Sequence, residues 1–142
     1  VIKQCPEYQV VITMPNADSY GNSIRDVFKK EFDHYPSVVL VENFGTKGYF
    51  SCMQHCSFLM GNTSSGIIEA ASLKKYVINL GKRQGGRARS KNVFDVPFEE
   101  QAILAFIQKI KMLPAYNSEN VYWQGGASDK IIDVLKELHG RL

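Results

Sequence analysis

Short β-branched runs alternate along this chain with stretches whose apolar residues recur at helical spacing. Residues 8–14 (YQVVITM) have the apolar, β-branched pattern of a buried strand, and Pro15-Asn16-Ala17-Asp18 breaks it. Ile24, Val27, Phe28 and Phe32 then mark one face of a helix over residues 19–32. Val38–Val41 reads as a second strand and residues 43–47 as a turn. Residues 48–56 read as a short helix with Tyr49, Phe50 and Met53 inward. Residues 57–60 make a third strand, and Ile67, Ile68, Ala70, Ala71 and Leu73 a helix after it. Tyr76–Leu80 is a fourth strand and residues 92–96 a short fifth. Pro97 opens a helix over residues 99–112, with Ile103, Leu104, Phe106, Ile107 and Ile110 on its apolar side. Residues 114–126 are loop, and residues 128–138 form a last amphipathic helix with Ser128 as its expected N-cap.

Strands alternating with helices predict an α/β domain of three layers, α/β/α, around a mostly parallel sheet covered on both faces. In such sheets ligands bind beyond the carboxyl ends of the strands. The turns at residues 15–18, 43–47, 61–66 and 81–87 all leave carboxyl ends, so the topology predicts that they meet on one sheet edge.

A length of 142 residues is enough for one domain with a real core. The formal charge of +3 is too small to argue for nucleic acid. Five of the basic residues, Lys82, Arg83, Arg87, Arg89 and Lys91, cluster in one glycine-rich loop, which reads either as solvated or as facing a phosphate. Cys5, Cys52 and Cys56 form no disulfide framework. Cys52 and Cys56, four apart with His55 beside them, lack a second pair of ligands at zinc-like spacing, so free thiols and no metal are expected. No signal peptide, membrane-spanning run or lipidation motif is visible, which makes the cytosol the expected compartment. The chain starts at Val1 rather than Met, and a piece of something longer is the expectation.

The most chemically informative stretch is Gly61-Asn62-Thr63-Ser64-Ser65-Gly66-Ile67-Ile68-Glu69. A strand, a turn of small residues and a helix N-terminus form an anion cradle, because unpaired N–H groups and the helix dipole both favour phosphate. Glu69, one turn further on, can accept hydrogen bonds from neighbouring hydroxyls. Phosphate followed by a diol points to a nucleotide.

That stretch, with Val77-Ile78-Asn79-Leu80-Gly81-Lys82-Arg83-Gln84-Gly85-Gly86-Arg87, resembles the hydrolysing UDP-N-acetylglucosamine 2-epimerases. Met14-Pro15-Asn16-Ala17-Asp18 resembles that family's Pro-Asn-x-Asp turn. Tyr122-Trp123-Gln124-Gly125-Gly126-Ala127-Ser128-Asp129-Lys130-Ile131 resembles its tail motif, with Trp123-Gln124 in place of the usual Gly-x. Residues 71–75 replace the usual Pro-Ser-Phe-Gly-x, so the preceding helix is expected to end less abruptly. The four motifs occur in order from the first strand to the last helix.

The resemblance implies half of a GT-B-type enzyme of two facing Rossmann-like domains. This chain, residues 1–142, would be the single UDP-binding domain at the C-terminal side, and the catalytic N-terminal half would lie outside it. His34, His55 and His139 match no catalytic motif, so no catalytic residue is expected here and the chain alone is expected to be inactive. By the resemblance, Thr63 and Ser64 would hold the diphosphate, a role for which helix capping is the alternative. Glu69 would accept both ribose hydroxyls, and Arg83 and Arg87 would offset charge on the departing UDP. Tyr49 would stack on uracil with backbone groups at Phe44 reading its edge, although an aromatic there also suits a core. Asn16 would lie near sugar and phosphate.

In the full enzyme the resemblance implies proton removal at C2, anti-elimination of UDP to a 2-acetamidoglucal, and addition of water to give N-acetylmannosamine for sialic-acid-type synthesis. The expected partners are UDP or a UDP-N-acetylhexosamine and the enzyme's other half, with a homo-oligomer left open because no motif marks subunit contacts; no cofactor, nucleic acid or membrane is expected. A non-hydrolysing epimerase, a GT-B glycosyltransferase and a non-catalytic nucleotide-sugar sensor are the alternatives. The first usually carries an Asp-Ser-Gly-Gly-like run, which is absent here. Product identity with the full protein separates the second, and absence of UDP binding would mark the third.

Overall fold

In the computed structural model, residues 1–15 and 21–140 are described. A 3₁₀ turn, Ile2–Gln4, leads into β1 (Val10–Thr13), α1 (Gly21–Phe32), β2 (Val38–Val41) and α2 (Gly45–His55). There follow β3 (Phe58–Gly61), α3 (Ser64–Ile68), β4 (Tyr76–Leu80), β5 (Val93–Val96), α4 (Glu100–Met112) and α5 (Ala127–His139). All strand pairs are parallel, as expected of strands joined by crossovers. They fall into two sheets, β1–β2 and β3–β4–β5, where the sequence pattern predicts one.

The β3–β4–β5 sheet is sandwiched. On one face Ile78 and Val96 pack with Ile103, Ile107 and Ile110 of α4, bordered by Tyr76, Leu80 and Phe94. On the other, Val77 packs with Met53 of α2 and Ala70, bordered by Tyr49, Leu59 and Val93. Alternate residues of β4 therefore serve opposite cores, which is why Val77 and Ile78, neighbours in sequence, are both buried and apolar. Ile67 and Ile78 are fully buried, each worth about 1.5–3 kcal/mol of transfer free energy. Helices on both faces of parallel strands make the Rossmann-like, three-layer α/β arrangement.

Four local expectations shift. α2 starts at Gly45 rather than Gly48, because Asn43 Oδ1 accepts the Gly45 N–H at 2.6 Å and nucleates the turn early. α3 stops at Ile68, earlier and not later than the apolar pattern implies. Ala70 N–H donates to Ser65 O and Lys75 N–H to Ala70 O, both at 3.0 Å, and Lys74 turns left-handed at φ 59°. Ser128 does not cap α5: Gly126, at φ 61°, occupies the N-cap with no side-chain cap, and its carbonyl accepts from Lys130 N–H. Of the apolar face on α1, Phe28 and Phe32 are half-buried, whereas Ile24 and Val27 are exposed. α5 buries none of its residues.

Candidate functional site

The turn after β3 begins at Gly61, whose φ of 147° suits glycine, and Thr63 follows in extended backbone as the N-cap of α3. Thr63 Oγ1 accepts the Ser65 N–H at a long 3.4 Å, so this hydroxyl does cap the helix. Ser64 is exposed at the first helical position. Gly66 lets α3 lie directly on β4: a Cβ there would sit 2.9 Å from Val77 Cγ1. Glu69 closes α3 as its C-cap, partly buried. Its Oε2 is shielded and has no hydrogen-bond partner among the described residues.

The loop after β4 leaves from the same end of the sheet, since Gly61 and Asn79 are in register. A polar chain fastens it. Asn79 Nδ2 donates to Asp95 Oδ1 at 2.6 Å across the β4–β5 ladder, and Asp95 pairs with Arg89. Arg89 Nη2 donates to Gln84 O at 2.8 Å, and Gln84 Nε2 donates to Asn62 O at 2.7 Å. The loop is thereby sewn to the Gly61–Thr63 turn. The basic cluster splits accordingly: Arg89 is spent on structure, while Lys82, Arg83, Arg87 and Lys91 are exposed. Tyr122, from the tail, donates its hydroxyl to Ala88 O at 2.9 Å. Asn120 Nδ2 donates to Ile68 O and Ser72 Oγ at 2.7 and 2.8 Å, holding the end of α3.

The aromatic pair comes from α2. Phe44 is its N-cap residue, and Tyr49 packs against the cluster of Met53, Ala70 and Val77, which places it beside the segment carrying Glu69. Asn16 lies outside the described residues. Pro15, next to it, accepts at its carbonyl from Arg25 Nη2 at 2.8 Å, and Arg25 also pairs with Glu42 after β2. Thr63, Ser64 and Glu69 thus run from the N-cap to the C-cap of α3, Arg83 and Arg87 lie on the loop tethered to the turn before it, and Tyr49 packs on the cluster that includes Ala70, just beyond α3.

Gln84 and Asn120 were not singled out by sequence. A glutamine between Arg83 and Gly85 carries no burial signal of its own; its partner, Asn62, is 22 positions away.

The described residues contain no group of three or more His, Cys, Asp or Glu side chains arranged for a metal. Cys5, Cys52 and Cys56 are free. Burial pushes the Cys56 thiol above its ordinary pKa, partly opposed by Lys75. No described helix is long and apolar enough to cross a membrane.

Residues 1–136 match the protein family described as UDP-N-acetylglucosamine 2-epimerase. The chain is 35% identical over 130 residues to a UDP-N,N'-diacetylbacillosamine 2-epimerase (hydrolyzing) of Legionella pneumophila, covering 92% of this chain and 34% of that protein. It is 33% identical over 126 residues to the polysialic acid biosynthesis protein P7 of Escherichia coli, covering 86% and 32%. A GDP/UDP-N,N'-diacetylbacillosamine 2-epimerase (hydrolyzing) of Campylobacter jejuni is 34% identical over 87 residues, covering 61% and 23%. The chain therefore spans about a third of the length of the first two relatives.

Proposed function

This chain belongs to the UDP-N-acetylglucosamine 2-epimerase family, and from that premise we propose that it is the UDP-binding part of a hydrolysing UDP-sugar 2-epimerase. The observation that carries the reading is Glu69 Oε2, a shielded carboxylate oxygen without a partner among the described residues, on the helix that follows the small-residue turn. A buried unpaired acceptor is costly, and a ribose diol supplies the donors that relieve it.

The remaining roles follow from position. Ser64 Oγ and the free N–H groups before α3 receive the diphosphate, with Thr63 holding the turn in shape. Arg83 and Arg87, on the loop sewn to that turn, offset the negative charge that grows on UDP as it leaves. The Tyr49 ring, anchored on the core by one side, offers the base a stacking surface, and the backbone at Phe44 reads the base edge. Asn16 completes the set from the turn after β1.

In the whole enzyme, the C2 proton leaves to a base outside this chain, the C1–O bond breaks with its electron pair going to UDP, and a 2-acetamidoglucal forms. Water then adds across the double bond to give the free 2-epimer. This part lowers the barrier by binding the departing diphosphate more tightly as its charge grows. Two relatives named as hydrolysing support that outcome over return of UDP-sugar. The relative named for polysialic acid biosynthesis supports an amino-sugar route of the sialic type, and three free thiols fit a reducing cytosol.

The test is to incubate the full-length gene product with UDP-N-acetylglucosamine and, separately, with UDP-N,N'-diacetylbacillosamine. Free UDP and a free 2-epimer in equal amounts are expected with one of them; sugar that stays attached to UDP, or moves to an acceptor, would overturn the hydrolytic reading.

A further inference from the structure

Asn120, in the loop between α4 and α5, uses every hydrogen-bonding position of its side chain. Its Nδ2 donates to Ile68 O at 2.7 Å and to Ser72 Oγ at 2.8 Å, so both of its hydrogens are taken. Its Oδ1 accepts the Tyr122 N–H at 2.9 Å and the Ser90 hydroxyl at 3.4 Å. These partners belong to separate segments: the end of α3, the loop after β4 and the tail itself.

The Ile68 carbonyl needs this partner. Ser72 N–H would serve it if α3 continued, but donates to Glu69 O at 3.0 Å instead. Ile68 O is therefore one of the acceptors that a helix end leaves over, and Asn120 takes it. Ile68 directly precedes Glu69, and Ser72 follows it within a turn, so one amide grips the chain on both sides of the Glu69 carboxylate. Aim matters there, because Glu69 Oε2 is shielded and has no partner among the described residues. Hydrogen bonds weaken steeply as their angle closes, so a carboxylate meeting both hydroxyls of a ribose has little freedom to turn.

The oxygen of the same amide reaches the arginine loop. Ser90 is 4% exposed, and its Oγ also accepts the Val121 N–H at 3.0 Å. Tyr122 donates its hydroxyl to Ala88 O, the residue after Arg87. Gln84 ties that loop to Asn62 ahead of α3. The loop after β4 is thus joined to the α3 segment at two places, one before the helix and one after it. A turn closed by an asparagine side chain needs only Oδ1. The two bonds from Nδ2 into the α3 segment are what such a turn leaves unexplained.

We infer that Asn120 is a positioning residue for ribose recognition: it aims the Glu69 carboxylate and links it to the loop that carries Arg83 and Arg87, so that a nucleoside diphosphate is held by its diol and its phosphates together. This role rests on the one proposed for Glu69.

Calorimetry on the full-length protein with UDP and with dideoxy-UDP, which lacks both ribose hydroxyls, tests it, because the ratio of the two affinities reads the diol alone. The parent is expected to favour UDP by about tenfold or more, and Glu69→Gln to abolish most of that preference. Asn120→Ala is expected to reduce the preference by about fivefold or more. Asn120→Asp keeps the acceptor for Tyr122 and Ser90 but loses both donors, so it spares the tail's turn, and it decides the matter where Asn120→Ala does not fold. Its added charge acts on both ligands alike and cancels in the ratio, which is expected to fall as in Asn120→Ala. A parental ratio in either folded variant, with both ligands weakened alike, would show that Asn120 only holds the tail and would overturn the inference. A parent that does not distinguish the two ligands, with Glu69→Gln unchanged from it, would instead overturn the role of Glu69, and that of Asn120 with it.

Discussion

Gln84 Nε2 donates to the carbonyl of Asn62 at 2.7 Å, and Gln84 is only 4% exposed. This one bond joins the loop after β4 to the turn that opens α3. Arg83 and Arg87, both exposed, therefore lie on a loop tethered next to the turn that carries Ser64.

Replacing Gln84 with alanine leaves the Asn62 carbonyl unpaired and opens a gap under the loop. The expected cost is about 1–3 kcal/mol of stability. UDP affinity in the full-length protein should fall further than that of an Arg87→Ala variant, as measured by calorimetry. Equal affinity in Gln84→Ala and the parent would show that the loop needs no tether.

Gly66→Ala sets a methyl group 2.9 Å from Val77 Cγ1, between a helix and a strand that cannot both stay in place. Overpacking of this kind costs about 1–3 kcal/mol. Pairing it with Val77→Ala should recover part of that loss, giving a favourable coupling in a double-mutant cycle by urea melts. Additive losses would mean that the contact is relieved elsewhere.

Lys74 sits at φ 59° in the turn that ends the α3 segment. A side chain in this region is strained, and glycine removes the strain while adding freedom to the unfolded chain. Lys74→Gly is expected to stabilise by about 0.5–1 kcal/mol, read as a higher denaturant midpoint.

How far the sequence revealed this fold varies by element. β2 and β4 have the bounds their patterns predict, because each is a β-branched or aromatic run with turn residues or charged residues on both sides. α3 could not be bounded from hydrophobicity. Ala70, Ala71 and Leu73 look helical, yet the last part of the segment is shaped by backbone bonds to Ser65 and Ala70 and by the left-handed Lys74. Which strands become neighbours is likewise invisible to local pattern, so the division into two sheets emerged only from the ladders. At the site, the capping role of Thr63 was legible from residue type. The burial of Gln84 was not, since it depends on a carbonyl 22 residues away.

Acid should loosen the N-terminal segment first. Hydrogen bonding to Lys111 holds the Glu7 carboxyl below its ordinary pKa, and Lys3 does the same for Glu31. A depressed folded pKa contributes stability that is fully present above the unfolded carboxylate value and is lost as pH falls through the folded one. Melting temperature should therefore decline as pH drops below about 4.3, the ordinary glutamate value. Glu7→Gln should flatten that decline; an unchanged acid profile would remove the Glu7–Lys111 pair from the account.

In the proposed reading the small-residue turn and Glu69 hold UDP. Calorimetric titration of the full-length protein with UDP, beside its Glu69→Gln variant, tests it most directly. Stoichiometric binding by the parent, weakened at least tenfold in the variant with an unchanged melting temperature for the free protein, is the predicted result. Equal UDP affinity in parent and variant would contradict it.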